Sequence, residues 1–244
     1  MIELTLVLLG SFLLLVLTVW KRKSPAKFRV INAFSRLHRG IGLSIEDGTR
    51  LHISLGRGDL LTSRGASGYA GLELVRDAAG RTSVSDKPLI VTAGDPALSI
   101  LAQDTIRAGY ESAGVGDLFP PTSARLGGLS PFGYAAGSMP VVRDESVSTN
   151  VLIGHFGPEI GLMTEAAERE NILTVAASDD LASQAVLFAS AQEPLLGEEV
   201  YAAGAYIGGR ASHTASLVVQ DVLRWLVIVI LLAGAALKFA GLLQ

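Results

Sequence analysis

Two apolar blocks frame this chain, and between them short apolar runs alternate with helical periods. Residues 4–20 carry no charge, and residues 225–243 carry only Lys238. Each approaches the ~20 apolar residues that a membrane-crossing helix needs. A backbone in lipid has to satisfy its own hydrogen bonds, so each block is expected as a helix. The first does not read as a cleaved signal, because basic residues follow the apolar run and no small-x-small site comes after it. Lys21, Arg22, Lys23, Lys27 and Arg29 follow the first block, whereas Glu3 precedes it. That asymmetry puts the intervening domain on the cytoplasmic side of the cytoplasmic membrane, with both termini outside.

Between the blocks, Phe28, Ile31, Phe34 and Leu37 recur at three-residue steps and predict an amphipathic helix over residues 28–39. It would lie on the membrane surface or pack on the domain. Residues 43–46 and 50–55 read as short strands joined at Asp47-Gly48. A helix is expected near residues 65–79, a buried strand over 88–93, and a helix capped by Asp95 with Pro96 in its first turn. Leu98, Leu101, Ala102, Thr105 and Ala108 would form that helix's inner face. Further strands are expected over residues 151–156 and 172–177. A helix opened by Pro158 would follow the first, and one capped by Ser178-Asp179-Asp180 the second.

A small-residue helix is expected around residues 198–207, and a last helix running from about Ser212 into the second apolar block. The run strand, glycine turn, helix, strand, acidic cap, helix occurs twice. This predicts an α/β fold with a largely parallel, doubly wound sheet of two similar halves, flanked by N- and C-terminal transmembrane helices. The expected divisions are residues 1–20, a basic collar with the amphipathic helix over 21–42, the α/β domain over 43–211, and the final helix over 212–244.

Charge sharpens this picture. The net charge is only −3, yet seven basic and no acidic residues fall between Lys21 and Ile45. This collar is suited to anionic lipid headgroups, and the acidic remainder argues against nucleic acid as a partner. The chain has no cysteine, which excludes disulfides, thiol catalysis and cysteine-ligated metals.

Four stretches are also familiar in their order: NVLIGHFGPE, AASDD with SQAVLFASA, LLGEEVYAAGAY, and SLVVQDVLRW. They resemble a bacterial and archaeal family catalogued as a domain of unknown function, number sixty-seven fifty-four. The resemblance covers roughly residue 90 to the end, and GEE-x-x-x-A-x-A-Y is its most specific element. It implies a membrane-associated protein and supplies no catalytic residues.

Open α/β sheets bind ligands beyond the carboxyl ends of their strands. Gly56, Gly58, Gly94, Asp95 and Asp179 fall there as ligand-binding candidates, with His155 and Glu159 as an acid–base pair or, with an acidic neighbour, a metal site. Each also has a structural reading, since Asp95 and Asp179 suit helix caps and the glycines suit turns. Gly56-x-Gly58 lacks the third glycine of a dinucleotide loop and the lysine of a phosphate loop. The scattered His38, His52, His155 and His213 show no zinc spacing, and no cofactor or metal is expected.

Small residues form a second theme. The alanines and glycines of residues 202–209, the uncharged glycine-rich residues 126–142, and Gly234, Ala236, Ala240 and Gly241 all permit close approach. Gly133, Gly204, Glu198 and Glu199 are the expected oligomer contacts. The resulting expectation is a non-enzymatic, homo-oligomeric scaffold anchored in the membrane. A tethered ligand-binding or hydrolytic domain is the alternative, and an accessory subunit of a larger membrane complex a third reading.

Overall fold

The computed structural model describes residues 2–21 and 28–239. They divide into two compact units, a helical pair built from the two ends of the chain and an α/β unit spanning Val30–Gly208. Arg22, Lys23 and Lys27 of the collar lie outside the described residues, as do Ala240 and Gly241.

The helical pair consists of α1 (Ile2–Lys21) and α9 (Ala211–Phe239). They meet where Leu17 is buried with Ala215 and Val219. Among the described residues a Cβ placed at Gly10 of α1 or at Gly234 of α9 would meet nothing within 4 Å, so neither glycine makes a close contact within the pair. Among the described residues α9 is the one helix long and apolar enough to cross a membrane, with a mean hydropathy of 2.2. From Trp225 through Leu232 its apolar side chains are exposed.

The α/β unit begins with α2 (Asn32–Glu46), β1 (Arg50–Gly56), α3 (Ala66–Thr82), β2 (Ile90–Ala93), α4 (Pro96–Ser112) and β3 (Ala124–Leu126). It continues with α5 (Pro131–Asp144), β4 (Val147–His155), α6 (Ile160–Arg169), β5 (Leu173–Ser178), α7 (Leu181–Ser190), β6 (Glu193–Leu195) and α8 (Ala203–Ile207). One six-stranded sheet has the order β3-β2-β1-β4-β5-β6, and every pair in it is parallel. The halves β1-α3-β2-α4-β3 and β4-α6-β5-α7-β6 therefore run outward from a common centre, and α5 carries the chain back from one edge to the middle.

Helices cover both faces. Leu55 and Ser54 are neighbours on β1 and so point to opposite sides. Leu55 meets Gly71 of α3, whereas Ser54 bonds the Tyr134 hydroxyl of α5. Burial on both faces explains the near-continuous apolar runs of the strands.

Several local expectations change. Residues 43–46 belong to α2, whose buried side is Phe34, Leu37, Gly40, Ile41 and Ser44, so the Asp47-Gly48 turn joins helix to strand. That helix packs on the domain. Gly40 abuts Thr149 and Leu173, and Phe34 stacks on Tyr206 with ring centroids 4.8 Å apart. The inner face of α4 is Leu98, Ala102, Ile106, Gly109 and Tyr110, turned from the expected one. Residues 126–142 form the tip of β3, a loop and α5, which buries Tyr134, Ala135, Ser138, Val141 and Val142. The edge strand β6 was not foreseen, because three residues around Pro194 carry no alternation.

A polar row crosses the middle of the sheet. His52 Nδ1–H donates to Asn150 Oδ1 at 2.7 Å, and Thr92 Oγ1 donates to His52 Nε2 at 3.0 Å. Burial holds the imidazole neutral, lowering its pKa from 6.5 to about 4. The unfolded chain takes up this proton first, so stability from His52 is complete above pH 6.5 and is lost as pH falls toward 4. The loss should reach about 3 kcal/mol. It is measurable as the difference in acid sensitivity between the native chain and His52→Gln in denaturant unfolding, and parallel pH profiles for the two would refute it.

Candidate functional site

β1 and β4 lie side by side at the centre, and the helices that follow them leave to opposite faces. Chains that diverge in this way open a crevice beyond the strand ends, at the topological switch point. Here Gly56 of β1 is in register with His155 of β4. Gly56 has φ +71°, and a Cβ on it would lie 2.4 Å from the His155 carbonyl oxygen. Only glycine fits, and the Arg57 N–H then donates to that oxygen at 2.8 Å. The turn beyond is equally tight, since a Cβ on Gly58 would lie 2.2 Å from the Arg64 carbonyl oxygen.

This packing presents His155 to the crevice. Its Nδ1–H donates to Asp179 Oδ1 at 2.7 Å, and Ser67 Oγ, from the first turn of α3, donates to Asp179 Oδ2 at 2.9 Å. Asp179 is thus gripped from both sides, which fixes the ring and leaves Nε2 as its second functional atom. The cap of α7 is Asp180, which accepts from Ser183 N at 2.9 Å and Ser183 Oγ at 2.8 Å. The backbone bond from Ser183, with that of its hydroxyl, holds the Asp180 carboxyl below its usual range. Assigning the cap to Asp179 is therefore corrected by one residue, and Asp179 is released for the site.

The expected His155–Glu159 pair gives way to a different pairing. Glu159 is buried and accepts from Arg57 Nε at 3.2 Å and Gly157 N at 3.0 Å. It balances Arg57, while His155 takes Asp179. Arg64, His155, Asp179, Asp180, Leu181 and Tyr201 line an open crevice of about 420 Å³. Burial, and then the charge of Asp179, raise the Tyr201 pKa.

The structure thus brings Gly56, Gly58, His155 and Asp179 together. Gly94 packs against the Arg57 side chain, and Asp95 caps α4 by accepting from Leu98 N at 2.9 Å. Ser67, Arg64 and Tyr201 are additions. Nothing in the sequence marks Tyr201, which arrives from beyond β6, and Ser67 is one of many small residues before α3. Among the described residues no group of three His, Cys, Asp or Glu side chains could hold a metal ion.

The expected oligomer contacts separate. Gly204 is buried by its own domain, along with Ala202, Ala203, Ala205 and Ile207, so this stretch is spent on internal packing. Glu199 accepts from Leu196 N at 3.3 Å and so closes a turn, with Glu198 beside it in the same 3-10 segment. Gly133 stays exposed in the first turn of α5, its N–H donating to Ser130 Oγ at 3.1 Å. Near it a shallow groove of about 440 Å³ between α5 and α6 is lined by Phe132, Ala136, Met139 and Leu162. It is apolar at its centre.

These features define a doubly wound α/β domain with a polar crevice at its switch point. The chain belongs to the family described as Domain of unknown function (DUF6754), which matches residues 1–243. The match takes in the first half of the α/β unit as well as the second. No curated protein and no solved structure matches the chain.

Gly56→Ala tests the packing of the crevice. The left-handed backbone and the contact with the His155 carbonyl should together cost about 2 kcal/mol or more. Denaturant unfolding measures the loss, and a variant within about 0.5 kcal/mol of the native chain would contradict the close approach.

Proposed function

We propose that this chain is a membrane-anchored ligand-binding protein, whose α/β domain holds a small polar molecule in the crevice beyond the ends of β4 and β5. The observation that carries this reading is the clamped Asp179. Two donors from different elements hold it, and it in turn orients His155 at the mouth of an open crevice. A fold that needed only rigidity would gain little from ordering a carboxylate and an imidazole at a solvent-facing edge. The burial of Gly204 and its neighbours also weakens the case for a purely structural scaffold. Native mass spectrometry of the gently solubilised full chain tests the proposal. A small-molecule adduct on the native protein that is absent from Asp179→Ala is expected. An unadorned native protein, or the same adduct on both, would overturn it.

Self-association remains a second reading, supported by the exposed Phe132 and Leu162 at the α5–α6 groove. Arg143, Arg169, Glu165 and Glu170 rim that groove, and equal numbers of both signs suit a patch that meets its own copy across a twofold. The same spectra report subunit number, and a single-copy mass at every concentration would end this reading.

The exposed apolar length of α9 supports anchoring in the bilayer, with α1 as the second span. The basic residues after Trp20 support a cytoplasmic position for the domain and attraction to anionic headgroups. The chain lacks cysteine, so Ser112→Cys supplies a unique label site. We expect it to stay unlabelled by an impermeant reagent added to intact cells and to react after lysis. Labelling from outside would reverse the topology.

A further inference from the structure

We infer that the crevice recognises a tetrahedral oxyanion, a phosphoryl group, through Arg64, His155 and Tyr201; this rests on the ligand-binding reading above. Of the six residues that line the crevice, Leu181 is apolar. Both oxygens of Asp179 are taken, one by His155 and one by Ser67. Asp180 is committed to Ser183 at the start of α7. Asp179 therefore has both oxygens bonded into the protein, and Asp180 has one, Oδ2, bonded to Ser183.

What faces a ligand is a different set. Arg64 carries a permanent charge with several N–H donors, and no carboxylate among the described residues pairs with it. The other arginine at these loops, Arg57, is already balanced by Glu159. His155 has Nε2 remaining, and Tyr201 has its hydroxyl. A phosphate monoester that carries one proton donates it to His155 Nε2, while Arg64 and Tyr201 donate to the other oxygens. The three groups come from the turn before α3, the end of β4 and the segment after β6. A planar carboxylate offers two oxygens, whereas a phosphate monoester offers three peripheral ones. A cation would meet Arg64, and the described residues provide no trio of metal ligands.

The phosphoryl group could belong to a soluble ester or to a lipid headgroup, and one experiment separates them. The full chain is placed in nanodiscs of zwitterionic lipid, and the His155 ring resonance is followed while inorganic phosphate is added. A second arm replaces part of the lipid with phosphatidic acid. A saturable shift that Arg64→Gln weakens by about tenfold is expected, the factor that accompanies loss of one charge-assisted hydrogen bond. Arg64 is exposed, and unchanged unfolding of Arg64→Gln serves as the folding control. A shift with phosphate assigns a soluble ester, and a shift with phosphatidic acid alone assigns a headgroup. If neither moves the resonance but glucose or spermidine does, the phosphoryl assignment fails while the ligand-binding reading stands. If an equal shift persists in Arg64→Gln, the assignment of Arg64 fails. If none of the four probes moves His155 and the native spectra show no adduct, both readings fall.

Discussion

The approach of β1 to β4 at their carboxyl ends governs what the rest of the domain can be. A Cβ at Gly154 would lie 2.0 Å from the Leu55 carbonyl oxygen, and one at Gly56 would lie 2.4 Å from that of His155. The two strands therefore run so close at their ends that a side chain on either glycine would part them. Because they are parallel, their connections have to cross over the sheet, and the two halves are forced to wind in opposite directions from this seam. The crevice is the gap those crossings leave.

The same seam explains the buried polar row beneath it. The Tyr134 hydroxyl, fully buried on α5, donates to the Thr92 carbonyl oxygen at 3.1 Å and accepts from Gly56 N at 3.2 Å. It therefore ties the return crossover to the strand end that bears the first glycine. Burial, partly offset by bonds from Ser54 and Thr92, raises its pKa, so it stays a neutral hydroxyl. Asn150 Nδ2 lies buried nearby without a partner among the described residues, and Ser138 Oγ is buried beside the Tyr134 hydroxyl. Groups of this kind are commonly satisfied by internal water, and they mark α5 as the element whose packing is polar as well as apolar.

Much of this architecture could be read from the chain because parallel strands buried on both sides leave a plain trace. The apolar runs around Ile90, Val151 and Val175 needed only their length and the turn or cap residues that bound them to be placed. The Asp95-Pro96 cap was equally clear, since side chain and ring both act locally. Failures came where local and tertiary preferences conflict. Leu43, Ser44 and Ile45 alternate like a strand, yet α2 carries them because its buried side, Leu37, Ile41 and Ser44, follows a helical period. At the site, His155 and Asp179 were visible as residues at strand ends, but their pairing was not. It depends on the register that sets Gly154 beside Ser178, which no local pattern encodes. Asp179 and Asp180 are adjacent and chemically alike, and only Ser67, 112 residues away in sequence, distinguishes them.

That distinction bears on what kind of site this is. A capping carboxylate answers to backbone N–H groups of its own helix, and Asp180 does this with Ser183. Asp179 answers instead to two side chains from other elements. Ser67 is small and buried in a turn of α3, and His155 is partly exposed. Desolvating a carboxylate partway is unfavourable unless its bonds repay the lost hydration. Here both bonds are short, and their joint result is to hold one imidazole in a single orientation and tautomer. With Nδ1–H committed to Asp179, Nε2 is the ring nitrogen left to the crevice. Arg64 supplies permanent charge at the same rim, and Tyr201 adds a hydroxyl kept protonated by burial. The order that Asp179 imposes therefore has its effect at the rim of the crevice, on a side chain that the packing of the sheet does not itself orient.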